Sequence, residues 1–245
     1  MKTIVRCVLV CLMVTAGSRT VAGQAPSTPE RRAGAAFTVS TLGLGADVAV
    51  PIAERMNIRG GFSLFSYSYD SENDGIVLDA QLQLRSVSAH LDWFPFGGGF
   101  HLSPGVMLYN GNEVNADARV PGGDAFDLGD EDLISDPANP IVGTAVFSFE
   151  TKVAPSFRIG WGNIIPRGDR RWNVPFELGV VYSRAPPSAL SLRGHACEST
   201  GDNCRSVVTD PQLQADVREE QDEINDDISV FQVIPVISIG FSVSF

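Results

Sequence analysis

Long apolar runs are almost absent from this chain. After the stretch from Cys7 to Val14, no segment approaches the ~20 apolar residues that a membrane-spanning helix needs, which excludes a helical integral membrane protein. Basic residues are also scarce: 18 Lys and Arg face 29 Asp and Glu, for a formal net charge of -11. A surface of that sign repels phosphate, so nucleic acid is excluded as a partner, and docking onto anionic lipid fits poorly. Histidine occurs three times, as His90, His101 and His195, and no Gly-x-Ser-x-Gly element is present. A serine hydrolase or lipid-modifying enzyme would therefore have to assemble its triad without a supporting motif. His101 with Ser103, two residues apart on one strand face, is the candidate pair for such chemistry.

Cysteine is limited to four positions. Cys7 and Cys11 fall in an N-terminal segment where Lys2 and Arg6 precede the apolar run and small residues follow through Ala16, Gly17, Ala22, Gly23 and Ala25. That is the layout of a secretory signal peptide, expected over residues 1–23 and lacking a lipoprotein cysteine at the cleavage zone. A flexible lead-in is expected over 24–36. In the exported remainder only Cys197 and Cys204 are left, in a polar loop, and an oxidising compartment favours a disulfide between them. A metal site with His195 is the rival reading, with an incomplete ligand set. No cofactor is expected.

What the chain does have is alternation. From Val230 to Phe245, the residues Phe231, Val233, Ile237, Ile239, Phe241, Val243 and Phe245 share one face of an extended strand, and Gln232, Ser238, Gly240, Ser242 and Ser244 share the other. Apolar outside and small or polar inside is the pattern of a closed barrel in lipid, because only closure satisfies every backbone group there. Further strands of period two run over 42–50, 57–69, 76–94, 100–109, 152–163 and 172–182. An eighth is expected in Ala36 to Thr41 or near Ala189 to Leu192. The expected fold is an all-β, antiparallel, up-and-down transmembrane barrel of eight strands over residues 37–245, or of ten if the long loops hide a hairpin. A soluble lipocalin-like barrel would carry its apolar face inward, where this chain puts Gly, Ser and charge.

Within 76–94 the apolar parity switches, with Leu78, Ala80, Leu82 and Leu84 at even positions and Val87, Ala89, Leu91 and Trp93 at odd ones. A β-bulge at Arg85/Ser86 would restore one apolar face. Short turns near Pro51, Pro95 and Ile164 alternate with longer polar connections after Asp70, Asn110 and Arg184, the periplasmic and exterior asymmetry of bacterial barrels. Two of these are read as long loops, 110–148 and 184–229. The first, with Asp117, Asp124, Asp127, Asp130, Glu131, Asp132 and Asp136, is expected to be mobile and hydrated. In the second, Leu213, Val217, Ile224 and Ile228 suggest one short amphipathic helix. Trp93, Phe94, Trp161, Trp172 and Phe245 form the expected aromatic girdle. The stripe Phe65, Tyr67 and Tyr69 is either girdle or, if parity holds from Arg59, lumen lining.

Several of these segments resemble a known group. Thr41 to Gly45, Pro51 to Arg59, Phe65 to Tyr69, Asp92 to Phe100, Tyr109 to Asn112, Ala154 with Pro155 and Gly160 to Asn163 are similar to turn and girdle elements of small bacterial outer-membrane β-barrel proteins of the OmpA/OmpW-like kind. The resemblance implies a Gram-negative outer-membrane location, lipid and the barrel-assembly machinery as partners, and no catalytic set. Phe245 matches the aromatic terminus that such machinery is thought to recognise.

The inward faces supply the concentrated polar constellation: Asp47, Arg59, Asp79, Arg85, Asp92, Arg158 and Glu177, with His90 beside them. Burying one partner of such a set alone costs on the order of 3 to 5 kcal/mol, so these charges are expected to pair within the narrow bore. The expectation is a non-enzymatic outer-membrane barrel, structural or a narrow, porin-like small-solute channel in which Arg85 or Arg158 exchanges partners. The alternatives are a surface interaction protein acting through its acidic and disulfide-closed loops on an unidentified exterior partner, and a lipid-modifying enzyme.

Overall fold

The computed structural model describes residues 33–73, 76–129, 131–149, 152–167, 169–184 and 187–245, so the expected signal peptide and most of the lead-in lie outside the described residues. In chain order the strands are β1 (Gly34–Ser40), β2 (Gly43–Ala53), β3 (Met56–Asn73), β4 (Ile76–Trp93), β5 (His101–Asn110), β6 (Glu113–Val120), β7 (Ala125–Leu128), β8 (Glu131–Ser135) and β9 (Ile141–Ser148). They continue with β10 (Ala154–Trp161), β11 (Trp172–Asn173), β12 (Phe176–Tyr182), β13 (Ser188–Arg193), β14 (His195–Cys197), β15 (Arg205–Ser206) and β16 (Val233–Ser244). Among the described residues one α-helix, α1 (Pro211–Asp227), precedes β16. It is not long and apolar enough to cross a membrane.

Eight of these strands close into an antiparallel barrel in the order β1–β2–β3–β4–β5–β10–β12–β16 and back to β1. The eighth strand is therefore the N-terminal one, and the barrel begins at Gly34, inside the segment read as lead-in. Ala33 and Phe245 exchange backbone hydrogen bonds at 3.2 and 3.0 Å, so the final aromatic closes the seam beside β1. Along β16 the alternation is complete, with Ile237, Ile239, Phe241 and Val243 exposed and Val236, Ser238, Gly240, Ser242 and Ser244 buried.

The end bearing Gly34 and Ser244, called lower here, has the turns at 54–55, 94–100 and 162–175. The opposite, upper end has four connections, since the tight turn between β1 and β2 joins the three read from sequence. The described residues of all three are built rather than loose. β3 and β4, 18 residues each, pair without interruption from Met56↔Trp93 to Asn73↔Ile76 and rise well above the other strands. Over 77–83, β4 leaves β5 and pairs with β6, which continues the sheet through β9 to β13. Residues 110–148, expected as a mobile loop, therefore contain four strands. They read as loop because β6 sets Asn and Asp against Val and Ala only, β7 and β8 are four and five residues long, and β9 mixes apolar and small residues on both faces.

A second sheet, β15–β14–β8–β7, and α1 cover part of this extension over a core of Val120, Leu128, Leu133, Ile141, Ala196, Val207, Leu213 and Val217. α1 starts where Asp210 accepts hydrogen bonds from the N–H groups of Gln212 and Leu213, with Pro211 in the first turn. It buries Leu213 and Val217, one turn apart. The Cys197–Cys204 disulfide pins the hairpin leading into it.

The parity switch in β4 is not a bulge at Arg85/Ser86. The ladder with β3 keeps one register throughout, and the irregularity that does occur faces β5, between Val87 and Ser88. What changes is the surroundings. Below the switch the outward residues are Val87, Ala89, Leu91 and Trp93, and the inward ones are Ser86, His90 and Asp92. Above it the outward face turns to Arg85, Gln83, Gln81 and Asp79, and the inward face to Leu84, Leu82, Ala80 and Leu78. β3 switches at the same height: Ile58, Phe62 and Leu64 point outward below, and Ser66, Ser68, Asp70 and Glu72 above. A strand leaving lipid for water should invert in this way, because its outer face must become polar and its inner face must find apolar cover.

Candidate functional site

The lumen is filled in three layers. At the lower mouth the turn after β10 folds inward, and Ile164 and Ile165 pack on Ala36 and Ala49. Asn163 anchors it by accepting from Asn57 Nδ2 at 2.9 Å. Arg167 Nε donates to the Glu54 carbonyl at 2.9 Å, and its guanidinium lies 4.2 Å from the Phe94 ring. Burial, with the nearby Arg55 cation, draws the Arg167 pKa below its ordinary value. Phe94 is thus not girdle. It sits at an inward position and is 1% exposed, whereas Trp93, Trp161, Trp172 and Phe245 are 46 to 71% exposed around the lower rim. At the upper mouth Leu42, Met107, Ala154, Val181 and Val236 make an apolar layer with Ile234.

Between these caps lies the charged layer, centred on Glu177 of β12. Its carboxylate accepts from Arg59 Nη1 at 3.0 Å and Nη2 at 2.6 Å, from Arg158 Nη1 at 3.2 Å and from His101 Nε2 at 3.0 Å. Arg59 Nη2 also donates to Asp92 Oδ1 at 3.0 Å, which accepts from Ser103 Oγ at 2.7 Å. His101 has Gly99 O at 3.2 Å from Nδ1. Both ring nitrogens of His101 face acceptors, and a ring that donates to both is an imidazolium. Counted so, Arg59, Arg158 and His101 balance Asp47, Asp92 and Glu177. His90 Nε2 lies 3.1 Å from Ser156 Oγ.

Register explains how such large groups fit a narrow bore. Asp47 pairs across the ladder with Gly61, His90 with Gly105, His101 with Gly160 and Arg158 with Gly179. A Cβ on Gly61 would collide with the Asp47 carboxylate, and one on Gly160 would stand 2.7 Å from the His101 ring. Each long polar side chain therefore lies flat over a glycine of the next strand. A void of about 10 Å³ is lined by Arg59, Asp92, Phe94, His101, Asn163 and Glu177 among others, room on the scale of one water.

Asp47, Arg59, His90, Asp92, Arg158 and Glu177 are thus brought together. Asp79 and Arg85 are not: both are exposed on the outer face of the extension, where Arg85 Nη2 donates to Gln83 at 2.8 Å, because the inversion in β4 turns that face to water. His101, Ser103 and Ser156 complete the layer. Their inward parity was visible in the sequence, but their partners depend on cross-strand register. Phe65, Tyr67 and Tyr69 keep the parity of Arg59 yet stand above the mouth, exposed. His195 pairs with Asp136 at 3.3 Å. Asp136, Cys197 and Cys204 gather closely, but the disulfide occupies both sulfurs and leaves no thiolate for a metal.

A closed eight-stranded antiparallel barrel, apolar outside and polar inside, defines a protein with the fold of small bacterial outer-membrane β-barrels. Two solved structures from Acinetobacter baumannii share it. The crystal structure of CarO aligns with a TM-score of 0.57 at 20% identity, over 86% of this chain and 97% of that one. That of CarO2 aligns with a TM-score of 0.58 at 17% identity, over 87% and 98%. No family model and no curated protein matches the sequence.

Proposed function

We propose that this is a non-enzymatic barrel of the outer membrane whose lumen is a filled ion-pair core, and that it serves as a rigid mount carrying the upper sheet and helix into the exterior medium. The observation that carries the reading is Glu177, held by Arg59, Arg158 and His101 between two apolar caps. A solute would have to part three cation contacts to one carboxylate and displace packed Ile, Val and Met side chains. The non-enzymatic half is supported by the pairing of the candidate groups: Ser103 donates to Asp92 rather than to a histidine, and His101 is bonded to Glu177. These contacts hold Ser103 and His101 apart, and the one serine that does meet a histidine among the described residues of the layer, Ser156 at 3.1 Å from His90 Nε2, lies below the apolar upper cap with no substrate space beside it.

The test is planar-bilayer recording on the refolded full chain. The expected result is no unit conductance above lipid alone. Reproducible steps that change in Arg158→Ala would overturn the filled-core reading in favour of a narrow conduit.

A further inference from the structure

The sheet above the barrel ends in two edges, and the chain treats them differently. At β13, α1 supplies acceptors in place of a neighbouring strand: Ser188 N donates to Asn225 Oδ1 at 2.8 Å and Leu190 N to Gln221 Oε1 at 3.3 Å. Gln221 and Asn225 stand one helical turn apart, so their carboxamides cover alternate positions of the edge, which guards it against unwanted pairing. At the other edge, β2 stops pairing with β3 at Leu44↔Leu64. Above that point β3 is bonded on one side only, to β4.

The direction of the free groups follows from Arg85. Its N–H donates to Asn112 Oδ1 at 2.9 Å and its carbonyl accepts from Gly111 N at 2.8 Å, so both point away from β3. Arg85 pairs with Leu64, and antiparallel ladders alternate with period two. The even positions of β3, Ser66, Ser68, Asp70 and Glu72, therefore aim N–H and C=O out of the sheet. Among the described residues nothing bonds to these groups. The strand is exposed on both faces: Phe65, Tyr67 and Tyr69 are 43 to 55% exposed on one, and the Ser and acidic side chains occupy the other.

We propose that the edge of β3 from Ser66 to Glu72 is a docking site for an extended segment of another protein, added as a strand with apolar residues over Tyr67 and Tyr69 and Lys or Arg beside Asp70 and Glu72. Backbone pairing with pockets for alternate side chains is a general mode of peptide recognition. Charge sets the preferred occupant. Under the membrane placement proposed above, two copies in one membrane share a two-fold axis along its normal. Their β3 edges then meet in parallel, with Asp70 against Asp70 and Glu72 against Glu72, which repels. Antiparallel pairing would point one barrel the wrong way.

The experiment measures fluorescence anisotropy of a labelled peptide of alternating lysine and valine, against one of alternating lysine and glycine, on the full chain in detergent. Each variant is first checked for retained heat-modifiable mobility on gels. Wild type is expected to bind the valine peptide more tightly. Ser68→Pro removes an edge N–H without touching the β4 ladder and should weaken binding about tenfold, the scale of one lost hydrogen bond, while Ser68→Ala should bind as wild type. Tyr67→Ser with Tyr69→Ser, which keeps the backbone donors, should also weaken it. Equal binding of both peptides, or unchanged binding by Ser68→Pro and by the Tyr double variant, would overturn the proposal. So would a wild-type dimer in sedimentation that Ser68→Pro dissolves, since a second copy would then be the occupant. A conducting wild type would overturn the filled core alone and leave this edge unaffected.

Discussion

Glu177 is the residue on which the lumen turns. Buried on all sides, its one carboxylate accepts from two guanidinium groups and the His101 ring at contacts of 2.6 to 3.2 Å, with Asp47 and Asp92 supplying the remaining negative charge of the layer. Removing one member of such a set leaves the others charged and unpaired, at a cost of about 3–5 kcal/mol. Glu177→Ala should therefore lower urea-unfolding stability of the detergent-folded chain by that order, and an unchanged midpoint would mean the layer is wet enough to solvate its cations. The glycines opposite the large groups make a second residue-scale prediction. Gly160→Ala sets a Cβ against the His101 ring and should cost about 1–3 kcal/mol through overpacking. Gly98→Ala, where a Cβ meets nothing within 4 Å, is the control expected to leave the same midpoint in place.

At the scale of elements, the turn that carries Asp136 between β8 and β9 has a defined pH dependence. Asp136 accepts from Ala138 N at 2.9 Å and from Asn139 Nδ2 at 3.4 Å, and His195 lies beside it. These donors, the Ala138 N–H foremost, hold its carboxyl below the ordinary value of 3.8. A carboxyl depressed in the folded state stabilises fully above its unfolded pKa and loses that contribution as pH falls through the lower, folded value. Asp136→Asn should thus reduce hydrogen-exchange protection of the Ala138 amide at neutral pH, and the gap to wild type should close below about pH 3.8. A gap independent of pH would assign the effect to shape rather than charge. The elements also mark what the sequence could and could not convey. Barrel strands such as β16 were legible because lipid and lumen impose opposite chemistries on alternate residues. The parity switch in β4 was legible too, but its cause was not: a bulge and a change of surroundings leave the same trace in one strand, and only the unbroken β3 register and the matching switch at Leu64/Phe65 separate them. β6 to β9 lack the barrel pattern for separate reasons: β6 alternates Val and Ala with Asn and Asp at low contrast, β7 and β8 span only four and five residues, and β9 mixes apolar and small residues on both faces. The lumen pairs were half legible, since parity gives the inward set but register decides that Glu177 meets His101 and that Arg85 meets nothing inside.

For the whole molecule, under the membrane placement proposed above, the inversion of both faces at one height marks where lipid would end. The outer band of Val48, Ile58, Phe62, Val87, Ile237, Ile239 and Phe241 is exposed, and it is bounded below by Trp93, Trp161 and Trp172 and above by Leu64, Tyr109 and Tyr182. β16 spans 12 residues, which at ~3.4 Å rise and ~40° tilt gives ~30 Å of height, enough for a band of ~25 Å with its rims. Among the described residues, the carboxylates outside the lumen layer, including those of α1 and the upper sheets, lie above or below this band, so they set no charge against its outer face. Two positions on the same outward face of β4 test this division. Ala89 lies below the inversion and Gln81 above it. In lipid an outward arginine near mid-band costs about 2–4 kcal/mol and close to nothing beyond the interface. Ala89→Arg should therefore destabilise the barrel in bilayers by that amount while Gln81→Arg leaves it unchanged, as read from urea titrations in lipid vesicles. In detergent-free solution with no bilayer the distinction has no basis. Equal costs at the two sites in vesicles would mean that β4 stays in one medium along its length and that the inversion reflects packing between sheets instead.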